Sequence, residues 1–238
     1  VPWRAWNLVR NWAEANGYSF NYAGDLGNTS APGPARAGDP AEPVTVLSMW
    51  DAMVWCNALS ELMGRRPVYF ADESLKEVHR HALPFRLQTF RGKGFPNFPF
   101  KPKLPKGEVY HSGSYLPVVM DGRANGFRLP LPEEWDLANR PAAAADKMPS
   151  FEWLADNSGG RTHPVGTKPP NALGLHDMEG NVIELTWGNT AAAIEGVPAR
   201  KGSYFARPYG ARHPRLDLGE FSAVGRNHCG FRVVRLPD

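Results

Sequence analysis

This sequence predicts a single α+β domain with two main helices, small twisted antiparallel sheets and much irregular structure. Helical periodicity is concentrated in the first third of the chain. Every candidate strand is short. The long connections are dense in the residues that turn a backbone, with 24 Gly and 23 Pro among 238 residues. Helices that are few, strands that are short and no detectable internal repeat argue for one layered domain spanning 1–238, not two.

The first helix is expected from Trp3 to Asn16. Trp6, Val9 and Trp12 (or Ala13) recur at helical spacing, and Asn16-Gly17 supplies the stop. A Gly/Pro/Ala/Asp loop follows to about Pro43; it holds Asn28-Thr29-Ser30, a formal glycosylation sequon of little weight. The second helix has the clearest signature. Ser48 with Asp51 forms an acidic capping box, Gly64 ends the helix, and Met49, Met53, Cys56, Leu59 and Met63 track one face that Trp50 and Trp55 widen. "PVYF" (67–70) then reads as a short strand.

From 71 to 116 the periodicity dissolves into aromatic, Pro and Lys/Arg punctuation. An insertion that long is often functional or partner-facing, and its phenylalanines and Tyr110 serve equally well as cover for the domain's own core. His79 and His81 would suit a strand-borne metal pair, but no further ligands are evident nearby. "GFRLPLPEEWDLANR" (126–140) gives a strand, a turn and a short helix opened by Pro132, with Glu133 and Glu134 favourable in its first turn. Short strands are expected around Val182 to Trp187, Ala199 to Phe205 and Gly230 to Arg235.

Composition narrows the function classes. Hydrophobic content of 42% with 21% charged residues is ordinary for a globular protein. No apolar run reaches membrane-spanning length. A net charge of +3, carried by scattered arginines, does not make a phosphate-tracking stripe, so nucleic acid is not an expected partner. Two cysteines, Cys56 and Cys229, cannot build a disulfide framework. Gln88 is the only glutamine and arginine outnumbers lysine, which fits a thermophile or a GC-rich genome. The chain begins abruptly inside a helical pattern, so an upstream segment is expected and localisation stays open.

In "NALGLHDMEGNVIE", Asn171 and Asn181 can hydrogen-bond turn backbone, and Asp177 and Glu184 stand seven apart across a turn containing Gly180. They can bring two carboxylates and the intervening carbonyls around a hard cation such as Ca²⁺, or they can cap turns and pair with arginines. The residue types alone leave both open.

Four segments in order, "PVTVLSMWDAMVWCNALSELMGRRPVY", "GFRLPLPEEWDLANR", "HPVGTKPPNALGLHDMEGNVIELTW" and "KGSY…GFRVVR", resemble the formylglycine-generating enzyme (sulfatase-modifying factor) superfamily across almost the whole chain. The opening "WRAWNLVRNWAEANGYSF" is similar to its bacterial members. The resemblance implies a C-type-lectin-like fold. It also implies a structural calcium held by the side chains of Asp177 and Glu184 and the carbonyls of Gly180 and Val182. A second calcium site of some relatives, which would begin at Asn157 and Ser158, lacks its acidic residue here.

The superfamily's oxidase chemistry places copper between two thiolates, the soft ligands that Cu(I) selects. The matching positions are Ala206 and Ala211. The resemblance therefore implies neither formylglycine generation nor copper. Three readings remain. One is a ligand-binding protein, as in the variable proteins of diversity-generating retroelements, whose C-terminal segment is a mutated recognition surface closed by a "GFR"-type end. The expected contacts in this chain's 202–231 segment are Tyr204, Phe205, Arg207, Tyr209, His213, Arg215, Asn227 and His228; Glu220 would have to be constant. A second reading is a non-haem metal oxidoreductase like the siderophore-maturation or sulfoxide-synthase members, with His213, His228 and Asp217 as ligands. The third is a pseudoenzyme that binds a partner protein through 71–116. Ligand identity, a protein or a small molecule, and oligomeric state are not legible.

Overall fold

The computed structural model describes residues 1–28, 37–82, 118–139, 152–187, 199–200 and 227–237. The first helix, α1, spans Trp3–Ala15 and buries Trp6, Val9 and Ala13. Ala13, not Trp12, completes the inward face; Trp12 is half-buried and lies against Tyr18. β1 (Asp25–Leu26) pairs antiparallel with β2 (Val44–Thr45). Gly24 precedes β1 in the left-handed region at φ +76, where a Cβ would stand 2.8 Å from the Val44 side chain, so glycine is required there.

The second helix, α2, spans Met49–Leu62 and starts on the predicted capping box. The Asp51 carboxylate accepts the Ser48 N–H at 2.8 Å, the Ser48 hydroxyl at 2.5 Å and the Asn21 N–H at 2.6 Å. One buried side chain thus caps α2 and pins the chain leaving α1. Burial pushes this carboxyl up, and the hydrogen bonds from Ser48 and Asn21 oppose that. A one-sided α2 is not what forms. Every residue from Met49 to Ala58 is buried, while Met63, expected on the inner face, is 59% exposed. Between Met49 and Ala58 the only polar side chains are Asp51 and Asn57, and both are spent on neighbouring backbone, so this stretch of the helix is covered on all faces.

Trp6 of α1 stacks on Trp55 of α2 at 6.2 Å, and the Trp55 indole N–H donates to the Trp6 carbonyl at 3.0 Å. Asn57 is saturated. Its Oδ1 accepts the N–H groups of Val68 and Tyr69, and its Nδ2 donates to the carbonyls of Tyr69 and His79, all between 2.8 and 3.0 Å. These four bonds dock β3 (Tyr69–Phe70) and the 78–80 segment on α2. β3 pairs antiparallel with β4 (Val119–Met120).

α3 (Pro132–Ala138) opens at Pro132 as its sequence predicts. Glu134 accepts the Leu131 N–H at 2.8 Å and forms a two-pronged pair with Arg128 at 2.6 and 2.7 Å. Around Arg128 the expected strand is only an isolated bridge to Val234. The last sheet has the order β6 (Ala199–Arg200), β5 (Ile183–Leu185), β7 (Cys229–Phe231). β6 runs antiparallel to β5, whereas β7 runs parallel to it. Phe231 meets both core indoles edge-on, at 5.9 Å from Trp6 and 5.4 Å from Trp55. The end of the chain is therefore built into the same core as its beginning.

Among the described residues no helix is long and apolar enough to cross a membrane. Asn28 is buried, with its Oδ1 accepting from the Thr162 N–H and hydroxyl at 3.0 Å. A glycan on that sequon is incompatible with this packing.

Two measurements test this core. Asn57→Ala leaves four buried backbone groups without their partner and is expected to lower stability by roughly 3 kcal/mol or more in denaturant titration. His79 is buried, its ring edge-on to Trp50 at 5.9 Å and its Nε2 without a partner among the described residues. Burial, aided by His81, pulls its pKa down from 6.5 to about 4. Below pH 6.5 the unfolded chain takes up a proton that folded His79 refuses until about pH 4. Stability is then full above that window and falls through it by at most about 3 kcal/mol. His79→Gln flattens the slope of the melting temperature against pH over the same range.

Candidate functional site

The loop between 152 and 184 is shaped by asparagine side chains doing backbone work. Asn171 Oδ1 accepts the N–H groups of Leu173 and Leu175 at 2.9 and 3.0 Å, and its Nδ2 donates to Ala138 at the end of α3. Asn181, left-handed at φ 58, exchanges two 3.0 Å bonds with the backbone of His163. These two asparagines close turns as their sequence context predicts. Gly180 at φ +77 is obligatory, since a Cβ would lie 2.5 Å from the Trp153 carbonyl oxygen. Trp153 itself is covered on its faces by the His163 ring, stacked at 3.6 Å, and by the Lys168 ammonium at 4.2 Å.

Asp177 and Glu184 are brought near each other, with Arg232 beside both. Asp177 is also left-handed, at φ 52. Its Oδ2 accepts the Gly166 N–H at 2.7 Å, while Oδ1 is buried without a partner among the described residues. Burial first, then the Glu184 charge, pushes the Asp177 carboxyl up, and the Gly166 N–H opposes that. Glu184 Oε2 accepts the Trp135 indole N–H at 2.6 Å and Arg232 Nε at 2.5 Å; Oε1 accepts Arg232 Nη2 at 2.8 Å. Nη2 also reaches the carbonyls of His176 and Asp177 at 3.2 and 3.1 Å. Burial disfavours the Arg232 charge, but the Glu184 and Asp177 carboxylates outweigh it, so the guanidinium holds its proton more firmly than usual.

Both functions that the residue types left open for the carboxylates are thus chemically available. Asp177 caps a turn and Glu184 pairs with an arginine. Yet the unpartnered Asp177 Oδ1 is the kind of hard oxygen that Ca²⁺ coordinates, and Glu184 Oε1 keeps a lone pair beyond its single N–H contact. These two carboxylates would be the side-chain donors to such an ion; among the described residues no third carboxylate, His or Cys joins them. Val182 is buried, and its side chain packs against Gly230 of β7.

Of the expected contact residues, Asn227 and His228 stand together at the start of β7, both half-buried, with His228 Nδ1 3.2 Å from Asn227 Oδ1. The His228 carbonyl accepts the Ile183 N–H at 2.8 Å, which fixes this pair to β5. Tyr204, Phe205, Arg207, Tyr209, His213, Arg215 and Asp217 lie outside the described residues, as do Ala206, Ala211 and positions 83–116 of the insertion. The strands β6 and β7 that enter and leave the 201–228 segment flank β5 on its two sides. Cys56 in α2 and Cys229 in β7 are both fully buried, and desolvation pushes the Cys56 thiol well up. His79 and His81 do not act as a pair: His79 is buried against Trp50, while the exposed His81 meets Ser19 Oγ at 3.0 Å.

Reading the sequence missed Arg232 and Trp135. A signal existed. "GFR" occurs twice, at 126–128 and 230–232, and each arginine makes a two-pronged pair with a glutamate, Arg128 with Glu134 and Arg232 with Glu184.

Comparison with known proteins agrees with this architecture. CarF superposes over 100% of this chain and 84% of its own, with a TM-score of 0.69 at 24% identity. Treponema denticola variable protein 1 does so over 100% and 82%, with a TM-score of 0.60 at 23% identity. These likenesses establish the C-type-lectin-like fold of the formylglycine-generating type. A protein of Paenibacillus barcinonensis named chaperone protein LppX is 25% identical over 170 residues, 61% of this chain and 51% of that protein. The chain thus spans about half the length of that curated relative. The model of the sulfatase-modifying factor enzyme 1-like domain matches residues 7–237, and the chain belongs to that family.

Proposed function

We propose that this chain is a ligand-binding member of its family, with the recognition surface carried by residues 202–231 and contacts from Tyr204, Phe205, Arg207, Tyr209, His213, Arg215, Asn227 and His228. The observation that carries this reading is the framing of that segment. Both of its ends are strands on β5, and β7 is keyed into the core by Phe231. An irregular segment rich in Tyr, Phe, Arg and His on a rigid base suits binding, because aromatic and Arg side chains supply most contact energy. The fold shared with a variable protein supports the same reading. A relative named as a chaperone favours a protein as ligand.

The chemistry of the thiols also supports binding over oxidation. Alanines occupy the two positions where the family's copper ligands belong, and the chain's own cysteines are sealed in the core on different elements. A structural calcium on Asp177 and Glu184, with the carbonyls of Gly180 and Val182, belongs to the same reading; it would supply fixed positive charge to the loop under β5.

Two tests follow. The neighbouring DNA is expected to hold a near-copy of the 3′ end of this gene, differing at adenines and lying beside a reverse transcriptase. Its absence overturns hypervariability. The purified chain is expected to consume no O₂ with a cysteine-containing peptide and copper; uptake accompanied by bound iron or copper would favour an oxidoreductase. For calcium, the melting temperature rises by a few degrees on adding Ca²⁺. It does not rise in Asp177→Asn, which tolerates the left-handed backbone but lacks the charge.

A further inference from the structure

We infer that Arg232 is a resident cation of the 176–184 loop, holding in the metal-free chain the Glu184 carboxylate, which a divalent ion would share, together with the carbonyls of His176 and Asp177. Four acceptors meet one guanidinium: both oxygens of Glu184 and the carbonyls of His176 and Asp177. They belong to the two ends of the loop, and the cation arrives from a third element, β7. Its own position is set by its neighbour Phe231, which is 1% exposed and packs edge-on against the stacked Trp6–Trp55 pair. The left-handed backbone at Asp177 is a conformation that tertiary bonds must sustain.

The planar fork of arginine suits this task. Nε and Nη2 address the carboxylate side by side while Nη2 still faces the two carbonyls, which an ammonium on a flexible stem cannot reproduce. The Trp135 indole completes the shell on Oε2 at 2.6 Å and ties α3 to the same charge. The loop, α3 and the strand closing the 202–231 segment therefore share one ion pair that is mostly withdrawn from solvent. Calcium and Arg232 meet at Glu184 but are not alternatives at Asp177, whose Oδ1 the guanidinium leaves untouched. This inference does not depend on what the tail binds.

The test uses the whole chain, the Arg232→Gln and Arg232→Lys variants, and melting and amide hydrogen exchange in EDTA and in excess Ca²⁺. In EDTA the native chain is expected to melt cooperatively with Asn181 and Ile183 protected, since their N–H groups bond to Trp153 and His228. Arg232→Gln is expected to melt on the order of 10 °C lower in EDTA, with those amides exchanging about 100-fold faster. Calcium recovers most of that loss, because the freed Glu184 oxygens then serve the ion. Arg232→Lys falls between the two. Unprotected Asn181 and Ile183 in the native chain in EDTA overturn the inference. So does an Arg232→Gln chain that melts like the native one, or one that calcium does not restore. Should Arg232→Gln fail to fold, native protection with a less protected Arg232→Lys sustains the inference, and equal protection in the two defeats it.

Discussion

A single buried amide, the side chain of Asn57, sets the terms on which this fold is assembled. The described strands are only two or three residues long, so their ladders supply few hydrogen bonds. Backbone groups brought inside must still be satisfied. Asn57 does this for β3 and for the 78–80 segment at once, from the middle of a helix buried on every face. Asp51 serves the start of the same helix and the chain leaving α1, and Asn181 serves the 163 and 181 segments. Side chains here replace the long sheets that would otherwise hold such irregular backbone.

The same economy explains the two arginine–glutamate pairs. Arg128 with Glu134 fixes the entry to α3, and Arg232 with Glu184 fixes the loop against β7. Trp135 lies on α3 next to the first pair and donates to the glutamate of the second, so the two are mechanically joined. Partly buried pairs of this geometry contribute little net stability relative to an apolar replacement, but losing one partner is costly. Their value is positional. Together they fix α3, the 176–184 loop and the chain leaving β7 relative to one another.

Much of the architecture could be read from sequence. The Ser48–Asp51 capping box, the Gly64 stop, the Pro132 helix start and the turn asparagines Asn171 and Asn181 appear where expected, because each is a short-range device spanning a few residues. The inner face of α2 is broader than its periodicity predicts, since Met63 sits in solvent while Val54 and Asn57, off the expected face, are buried with Trp50 and Trp55. Periodicity distinguishes an amphipathic helix from others but does not say how many sides the neighbours will cover. At the candidate site, Asp177 and Glu184 were legible as a carboxylate pair, and Arg232 was not legible as their partner.

By itself, then, the sequence determined the family, the helices and their caps, the two carboxylates and the alanines at 206 and 211 that stand where thiolates would bind copper. Tertiary structure alone decided that Arg232 reaches Glu184 across 48 positions, that β7 lies parallel to β5, and that Phe231 enters the core edge-on against two stacked tryptophans. The reason is one of range. Caps, turns and spacing are local interactions written in neighbouring residues. The partner of a buried charge depends on which distant segment packs beside it, and that follows from the whole chain minimising exposed apolar surface and unpaired polar groups together.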